Sequence, residues 1–472
     1  MNTLPQPLLD RFAEIVGPTH ALRDAQSIEP YLTEPRDKFH GATSLVLKPG
    51  SVAEVAAILK LASETGTPVV PQGGNTGLVG GQIPSTTGKE IVLSLARLNR
   101  VRSVDADGNT MIAEAGVTLD EARAAADAVD RLFPLKLASG GSCDIGGNVS
   151  TNAGGTEVLA YGNTRELVLG VEVALPSGEV WDGLRTLRKD NTGYDLKHLF
   201  IGAEGTLGVI TAAVLKLMPK PRGVAVAFIG LKDPATALKL FHIARDRAGH
   251  SLTAFELLPR MGLEFVQRHA PGTRDPLADP HPWYVLMEYS SARGQEDADT
   301  AVEAIFAAGL ETELVDDGAL AQSLDQAAAF WHLRETMSEV QKLEGGSIKH
   351  DVGVPLAKVP ELIDHASAAV AEMIPGVRPC PFGHMGDGNI HLNFSQPVDM
   401  DKAAFLARWE EVNARVHAIV GELGGTISAE HGIGVLKRDM LRQVKSPIEI
   451  ELMRRVKQAF DPKGILNPGK VL

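Results

Sequence analysis

The sequence predicts an α+β protein of more than one domain, and three observations carry that reading. Its 472 residues exceed what a single hydrophobic core organises. Strand-like and helix-like stretches alternate along it, at first with glycine-rich turns between them and later without. Its 48 glycines gather into a few short runs and show no collagen-like period of three. Hydrophobic residues at 44% and charged residues at 22% exclude a wholly disordered chain.

The elements follow in order. Ser44 to Leu47 reads as a short strand. Ser51 opens a helix with Glu54 three residues on, a capping-box pattern, and Val52, Val55, Ala56, Leu59 and Ala62 give it one apolar face. Val69-Val70 is a strand that runs into the first glycine run. Residues 91–95 and 111–115 are further strands, and 119–129 is helical. After a second glycine run, 171–175 and 179–181 flank Pro176-Ser177-Gly178 as a hairpin. A long strand at 209–217 ends at Pro219 and Pro221. Asp233 then caps a helix with Pro234 at its first position. Strands are expected at 284–289, 311–315, 349–354 and 390–394, and helices at 296–308, 319–344, 356–373 and 401–423. The tail from Gly424 holds two glycine-bearing turns and a helix. Three segments are therefore expected: a first domain over 1–222, an α+β cap with an antiparallel sheet over 223–423, and 424–472 returning to the first domain.

Lys plus Arg number 46 against 59 for Asp plus Glu, a net charge of −13. That balance argues against nucleic acid or an anionic membrane as partner. Cys143 and Cys380 cannot build a disulfide framework, which favours a reducing compartment. Met1 to Pro18 carries neither a signal-peptide nor a transit composition. No apolar run reaches the roughly 18 residues of a membrane-spanning helix. A cytoplasmic chain without a transmembrane segment is expected.

The glycine runs are the first candidate site. Pro71 to Gly81 follows a strand and offers backbone N–H groups that no side chain obstructs, a concavity suited to phosphate. It lacks the Gly-Lys-Ser/Thr ending of a triphosphate loop, and no Gly-x-Gly-x-x-Gly occurs in the chain. Alone it reads equally as a tight structural turn. Ser139 to Gly155 interleaves glycines with Ser, Asn and Thr, and Gly202 to Gly208 feeds a strand. Three separated runs suit a long ligand with a pyrophosphate in its middle, such as a dinucleotide.

With these runs the chain resembles the FAD-binding flavoproteins of the vanillyl-alcohol-oxidase type, and within them the D-2-hydroxy-acid dehydrogenases. The residues that carry the likeness are Pro71 to Gly80, Gly147 to Gly155, Asn191-Thr-Gly-Tyr-Asp-Leu196, Gly202 to Gly208 and Asp461 to Pro468. They span nearly the whole chain in the family's order. The resemblance implies a two-part FAD-binding domain plus a substrate cap. It also implies FAD held by Pro71, Gly73, Gly74, Asn75, Thr76, Gly77, Ser139, Gly140, Gly141, Ser142, Gly146, Asn148, Thr151, Asn152, Gly155, Glu204, Gly205, Ile210 and Asn467. Some relatives tether the flavin to a histidine in the first run. Gly73-Gly74-Asn75 holds none, so non-covalent FAD is expected.

Of fourteen histidines, three stand in glycine-rich contexts. His384 and His391 flank Met-Gly-Asp-Gly-Asn-Ile, His391 and Asn393 share one strand face, and His431 follows Glu430. Two histidines and a carboxylate can make a three-ligand site for Zn²⁺ or Mn²⁺, or can be hydrogen-bonded core residues; spacing alone leaves both open. The resemblance implies that His384, His391 and Glu430 bind a divalent metal, Zn²⁺ before Mn²⁺, and that His431 is the base. A 2-hydroxy acid can chelate such a cation, which lowers the hydroxyl pKa so that an imidazole removes the proton near neutrality.

Arg334 and Ser338 lie four residues apart on a helix and point the same way. Arg334 reads either as a solvated helix charge or as a carboxylate clamp; Lys349, alone, would be a surface lysine. Two cations near a metal suit a substrate with a second carboxylate. The resemblance implies that Arg334, Ser338 and Lys349 hold it, with Asn393 also on the substrate. D-2-hydroxyglutarate is therefore the expected substrate, with D-malate next. The alternatives are a D-lactate or glycolate dehydrogenase, and a non-catalytic flavin-binding subunit. An electron-transfer flavoprotein, a quinone or a cytochrome is the expected electron acceptor, and a homodimer the expected assembly.

Overall fold

A computed structural model describes residues 4–472. The chain divides into two compact units. The first comprises the chain through Gly155, Gly162–Lys220 and Glu430–Leu472; the second comprises Thr156–Tyr161 and Pro221–Ala429.

The first unit holds a mixed four-stranded sheet, in the order Ala21–Leu22, Val46–Leu47, Ile91–Ser94, Val69–Gln72. Its last two strands run parallel. Helix Val52–Thr65 turns Val55, Ile58, Leu59, Leu61 and Ala62 into a core shared with these strands and with Ile465 and Leu466 of the tail. Ser51 caps this helix by accepting the Glu54 N–H at 3.3 Å, while the Glu54 carboxylate accepts from Gly50 N at 2.8 Å. Such a cap is worth about 1 kcal/mol. A five-stranded antiparallel sheet follows, ordered Val101–Asp105, Thr110–Glu114, Val209–Lys216, Val168–Ala174, Val180–Asp182. Inside the second glycine run the chain forms a two-turn helix, Ile145–Thr151. The tail makes two helices, Arg438–Val444 and Pro447–Phe460, where one is expected, and then bridges Leu466 to Val69.

The second unit is built on a seven-stranded antiparallel sheet. Its order is Asp317–Leu320, Gly223–Leu231, Trp283–Ser291, Leu252–Pro259, Arg378–His384, Asn389–Ser395, Ser347–Gly353. One face packs on helices Pro234–Ala248, Gln295–Glu311, Val359–Met373 and Trp409–Glu422. Phe382 and Cys380 point to the other face, against helices Arg260–His269 and Leu324–Val340. Asp233 accepts the Thr236 N–H at 2.7 Å and so starts its helix as expected.

Two expectations are corrected here. The strand expected at 311–315 is the end of helix Gln295–Glu311 and a turn, in which Leu314 and Val315 donate to Gly309 O and Glu313 sits at φ 56°. The strand comes next, at Asp317–Leu320, so the long helix starts not at 319 but at Leu324, where Ser323 caps it through the Gln326 N–H. That helix ends at Val340, with 341–344 tightening to a 3₁₀ turn.

Candidate active site

In the first unit the two leading glycine runs interlock. A Cβ on Gly74 would lie 1.8 Å from Ser142 O, and one on Gly73 would lie 2.3 Å from Asp144 Oδ1. Gly74 N–H donates to that same oxygen at 2.8 Å. Burial pushes the Asp144 carboxyl up to about 6, against the lowering influence of this N–H. Beside the seam opens a cleft. Of the expected residues, Pro71, Gly73, Gly74, Asn75, Thr76, Gly77, Gly146, Asn148, Thr151, Glu204, Gly205, Ile210, Asn467 and His431 line it. Ser139, Gly140, Gly141, Ser142, Asn152 and Gly155 do not. Gly140 packs under Asp120 and Gly155 under the Lys136 carbonyl. Asn152 ends helix Ile145–Thr151 at φ 52°, and its Oδ1 accepts the Arg165 N–H at 2.9 Å.

The cleft fits a dinucleotide by its donors. The backbone N–H groups of Asn75, Thr76, Gly77 and Gly147 have no acceptor among the described residues. Clustered N–H groups of this kind are what an anionic pyrophosphate needs. Asn467 is buried and its Nδ2 donates to Gly81 O at 2.9 Å and Glu204 O at 2.8 Å. Its Oδ1 has no partner among the described residues, an acceptor left over for a ring N–H of a bound flavin.

In the second unit the site is made of side chains. His384, on strand Arg378–His384, pairs in register with Glu256 on strand Leu252–Pro259. His384 Nδ1 lies 2.8 Å from Glu256 Oε1, and Arg334 Nε donates to Glu256 Oε2 at 2.7 Å. Burial would raise the Glu256 carboxyl, but His384 and Arg334 beside it outweigh that and hold it at about 2. An ionised carboxylate only accepts, so a hydrogen sits on His384 Nδ1, and Nε2 is the ring nitrogen left for a cation. The His384 and His391 rings stand 5.4 Å apart.

Lys349, Asn393 and Cys380 are cross-strand neighbours in one row of this face, next to the row of Asp351, His391 and Phe382. Lys349 Nζ donates to Ser338 O at 2.6 Å and to Ser338 Oγ at 3.3 Å. The Arg334 guanidinium stacks 4.9 Å over Phe382. Its Nη1 and Nη2 have no hydrogen-bond partner among the described residues. Asn393 Nδ2 donates to Gln341 Oε1 at 2.9 Å. The cap thus brings together Arg334, Ser338, Lys349, His384, His391 and Asn393. Sequence reasoning missed Glu256 and Gln341. A signal for Glu256 existed: a lone carboxylate in the apolar stretch Leu252 to Pro259 must be paired if the stretch is buried.

A cleft framed by glycine runs in one unit, and an antiparallel sheet in the other, suit a flavoprotein, and comparison with known proteins agrees. Residues 43–183 match the FAD binding domain family, and residues 220–471 match the family of FAD linked oxidases, C-terminal domain. The chain belongs to the FAD-linked oxidases, and its fold is that of the vanillyl-alcohol-oxidase type of flavoprotein. Over 461 residues it is 38% identical to the mitochondrial D-2-hydroxyglutarate dehydrogenase of Arabidopsis thaliana, covering 98% of this chain and 80% of that protein. The mitochondrial D-2-hydroxyglutarate dehydrogenase of Bos taurus is 39% identical over 459 residues, 97% of this chain and 82% of its own length. Among solved structures, p-cresol methylhydroxylase with substrate bound superposes with a TM-score of 0.77 at 16% identity, over 100% of this chain and 98% of its own. That likeness shows the fold. Both relatives are named mitochondrial, which contradicts the expectation of a cytoplasmic chain. No helix among the described residues is long and apolar enough to cross a membrane.

Proposed function

We propose that the chain oxidises a D-2-hydroxy acid, D-2-hydroxyglutarate before D-malate, to the 2-oxo acid. The observation that carries the dicarboxylate preference is the pair of cations on one cap face: Arg334 with both terminal nitrogens uncommitted, and Lys349 beside Ser338. D-lactate offers no second carboxylate to these groups.

The family likeness assigns to a metal the donor set of His384, His391 and Glu430, two imidazoles and one carboxylate. It suits a divalent cation that keeps open positions for substrate, Zn²⁺ before Mn²⁺. When bound, the cation supplies a Lewis acid for the substrate hydroxyl and FAD supplies the hydride acceptor. His431, on the lining of the flavin cleft, takes the hydroxyl proton as C2 gives up its hydride. Arg334, Ser338 and Lys349 hold the distal carboxylate, and Asn393 orients the acid from the same face. The flavin is held non-covalently, since the first run carries no histidine. Electrons leave to an electron-transfer flavoprotein, a quinone or a cytochrome, and the assembly is a homodimer.

Anaerobic flavin bleaching by D-2-hydroxyglutarate, D-malate and D-lactate, with and without chelator, tests the reading. Fastest bleaching by D-2-hydroxyglutarate, abolished by chelator and restored by Zn²⁺ or Mn²⁺, is the expected result. D-lactate preferred, or preference unchanged in Lys349→Ala, would sink the dicarboxylate assignment.

A further inference from the structure

Glu204 lines the flavin cleft, which makes it look like a cofactor contact. Its carboxylate is committed elsewhere. Oε1 accepts the Ile433 N–H and Oε2 the Gly434 N–H, each at 2.7 Å, the length of a charge-assisted bond. The loop wraps the carboxylate so closely that a Cβ on Gly432, itself at φ +80°, would stand 2.7 Å from Oε1. Glu204 is in turn planted in the frame of the cleft. Its N–H donates to Ser150 O at 2.8 Å, and its carbonyl accepts from Asn467 Nδ2 at 2.8 Å.

The same loop has a second anchor, made only of main chain. Val435 and Leu436 donate to Val79 O at 2.9 and 3.1 Å, and Gly434, at φ +51°, lets that carbonyl approach. His431 lies two residues ahead of Ile433 and lines the same cleft. One side chain therefore ties the loop bearing His431 to the wall of the flavin cleft, with both carboxylate oxygens used to do it.

We propose that Glu204 is a positioning residue for His431: its carboxylate fixes the loop that presents the imidazole, and its share in the reaction runs through that histidine. The inference rests on His431 being the base. It assigns to Glu204 a task other than holding FAD. Replacing the carboxylate by an amide leaves one acceptor for two N–H groups and sets an NH₂ donor against the other, so the loop must shift. A displacement near 1 Å of a reacting group costs on the order of 100-fold in rate.

The test is a double-mutant cycle on FAD-loaded enzyme, with anaerobic flavin reduction by D-2-hydroxyglutarate as the readout. Glu204→Gln is expected to lower the limiting reduction rate by on the order of 10- to 100-fold. The Kd for FAD and the Kd for the acid should stay within about threefold, a split that general loss of structure would not produce. In a His431→Asn background the same change should cost nothing further. If E204Q does not accumulate as holoenzyme, Glu204→Asp, which keeps the charge but is one methylene short, goes through the same cycle. Additive losses, or weakened FAD binding with the limiting rate intact, would overturn the proposal while leaving the base assignment standing. A wild-type rate in H431N would remove the base assignment and the proposal together.

Discussion

The two units offer binding groups of opposite kinds. In the first, the groups are main chain: interlocked glycines expose the N–H groups of Asn75, Thr76, Gly77 and Gly147, and a Cβ at Gly74 would strike the Ser142 carbonyl. In the cap, the groups are long side chains braced by a buried counter-charge, with Glu256 serving His384 and Arg334 at once. The first therefore fails when atoms are added, and the second when atoms or charges are removed. That separates two phenotypes, loss of flavin and loss of chemistry with flavin retained.

The largest expected effect breaks the chemistry alone. His391→Ala removes one imidazole from the proposed metal set and should slow flavin reduction on the order of 10³-fold, since a Lewis acid stabilises developing charge by several kcal/mol. FAD content should match wild type, because His391 lies in the cap. Loss of FAD in this variant, read from the absorbance ratio of flavin to protein, would show that the two means of holding are not separable.

The next effect belongs to the flavin unit and appears as pH dependence. Asp144 is buried, and burial raises its carboxyl from 3.8 to about 6 despite the Gly74 N–H. A raised carboxyl favours the protonated fold, so its stabilising contribution is complete below pH 3.8 and is lost as pH rises through about 6. Above that, the ionised form costs about 3 kcal/mol. Asp144→Asn keeps an acceptor for Gly74 and removes the charge. At neutral pH it should be more stable than wild type, and the decline of wild-type stability between about pH 4 and 6 should flatten. Denaturant unfolding at fixed FAD concentration measures this, and identical pH slopes in the two proteins would count against it.

How much of this was legible follows the same division. Backbone requirements are local, so Gly73-Gly74 and Gly146-Gly147 announce a cleft wherever they fold. The glycines around His384, His391 and His431 single out those histidines for the same reason. Counter-charges are not local. Glu256 meets its histidine 128 positions away and its arginine 78 away. Nothing near Glu256 names either partner. The strands that carry these groups were also hard to see. Leu252–Pro259 is buried at every position, so it shows no two-residue alternation. Arg378–His384 contains Pro379 and Pro381, which argue against an interior strand. They are tolerated because Leu252–Pro259 pairs with this strand only at Gly383 and His384.

The smallest of these effects tests the brace itself. Glu256→Gln keeps the shape of the side chain but removes the charge that makes His384 Nδ1 a donor and compensates Arg334. The amide can donate to Nδ1 instead, which moves the imidazole hydrogen to Nε2 and blocks the nitrogen proposed to bind the metal. Zn²⁺ affinity, measured by calorimetric titration of metal-free, FAD-loaded protein, should fall about 10- to 100-fold, the usual effect of losing such a partner. FAD content should not change. The competing role for Glu256 is as counter-charge to Arg334 alone. In that case Zn²⁺ affinity would stay at the wild-type value while stability and binding of the dicarboxylate declined. A variant that binds Zn²⁺ normally but has lost D-2-hydroxyglutarate would therefore assign Glu256 to the arginine rather than to the histidine.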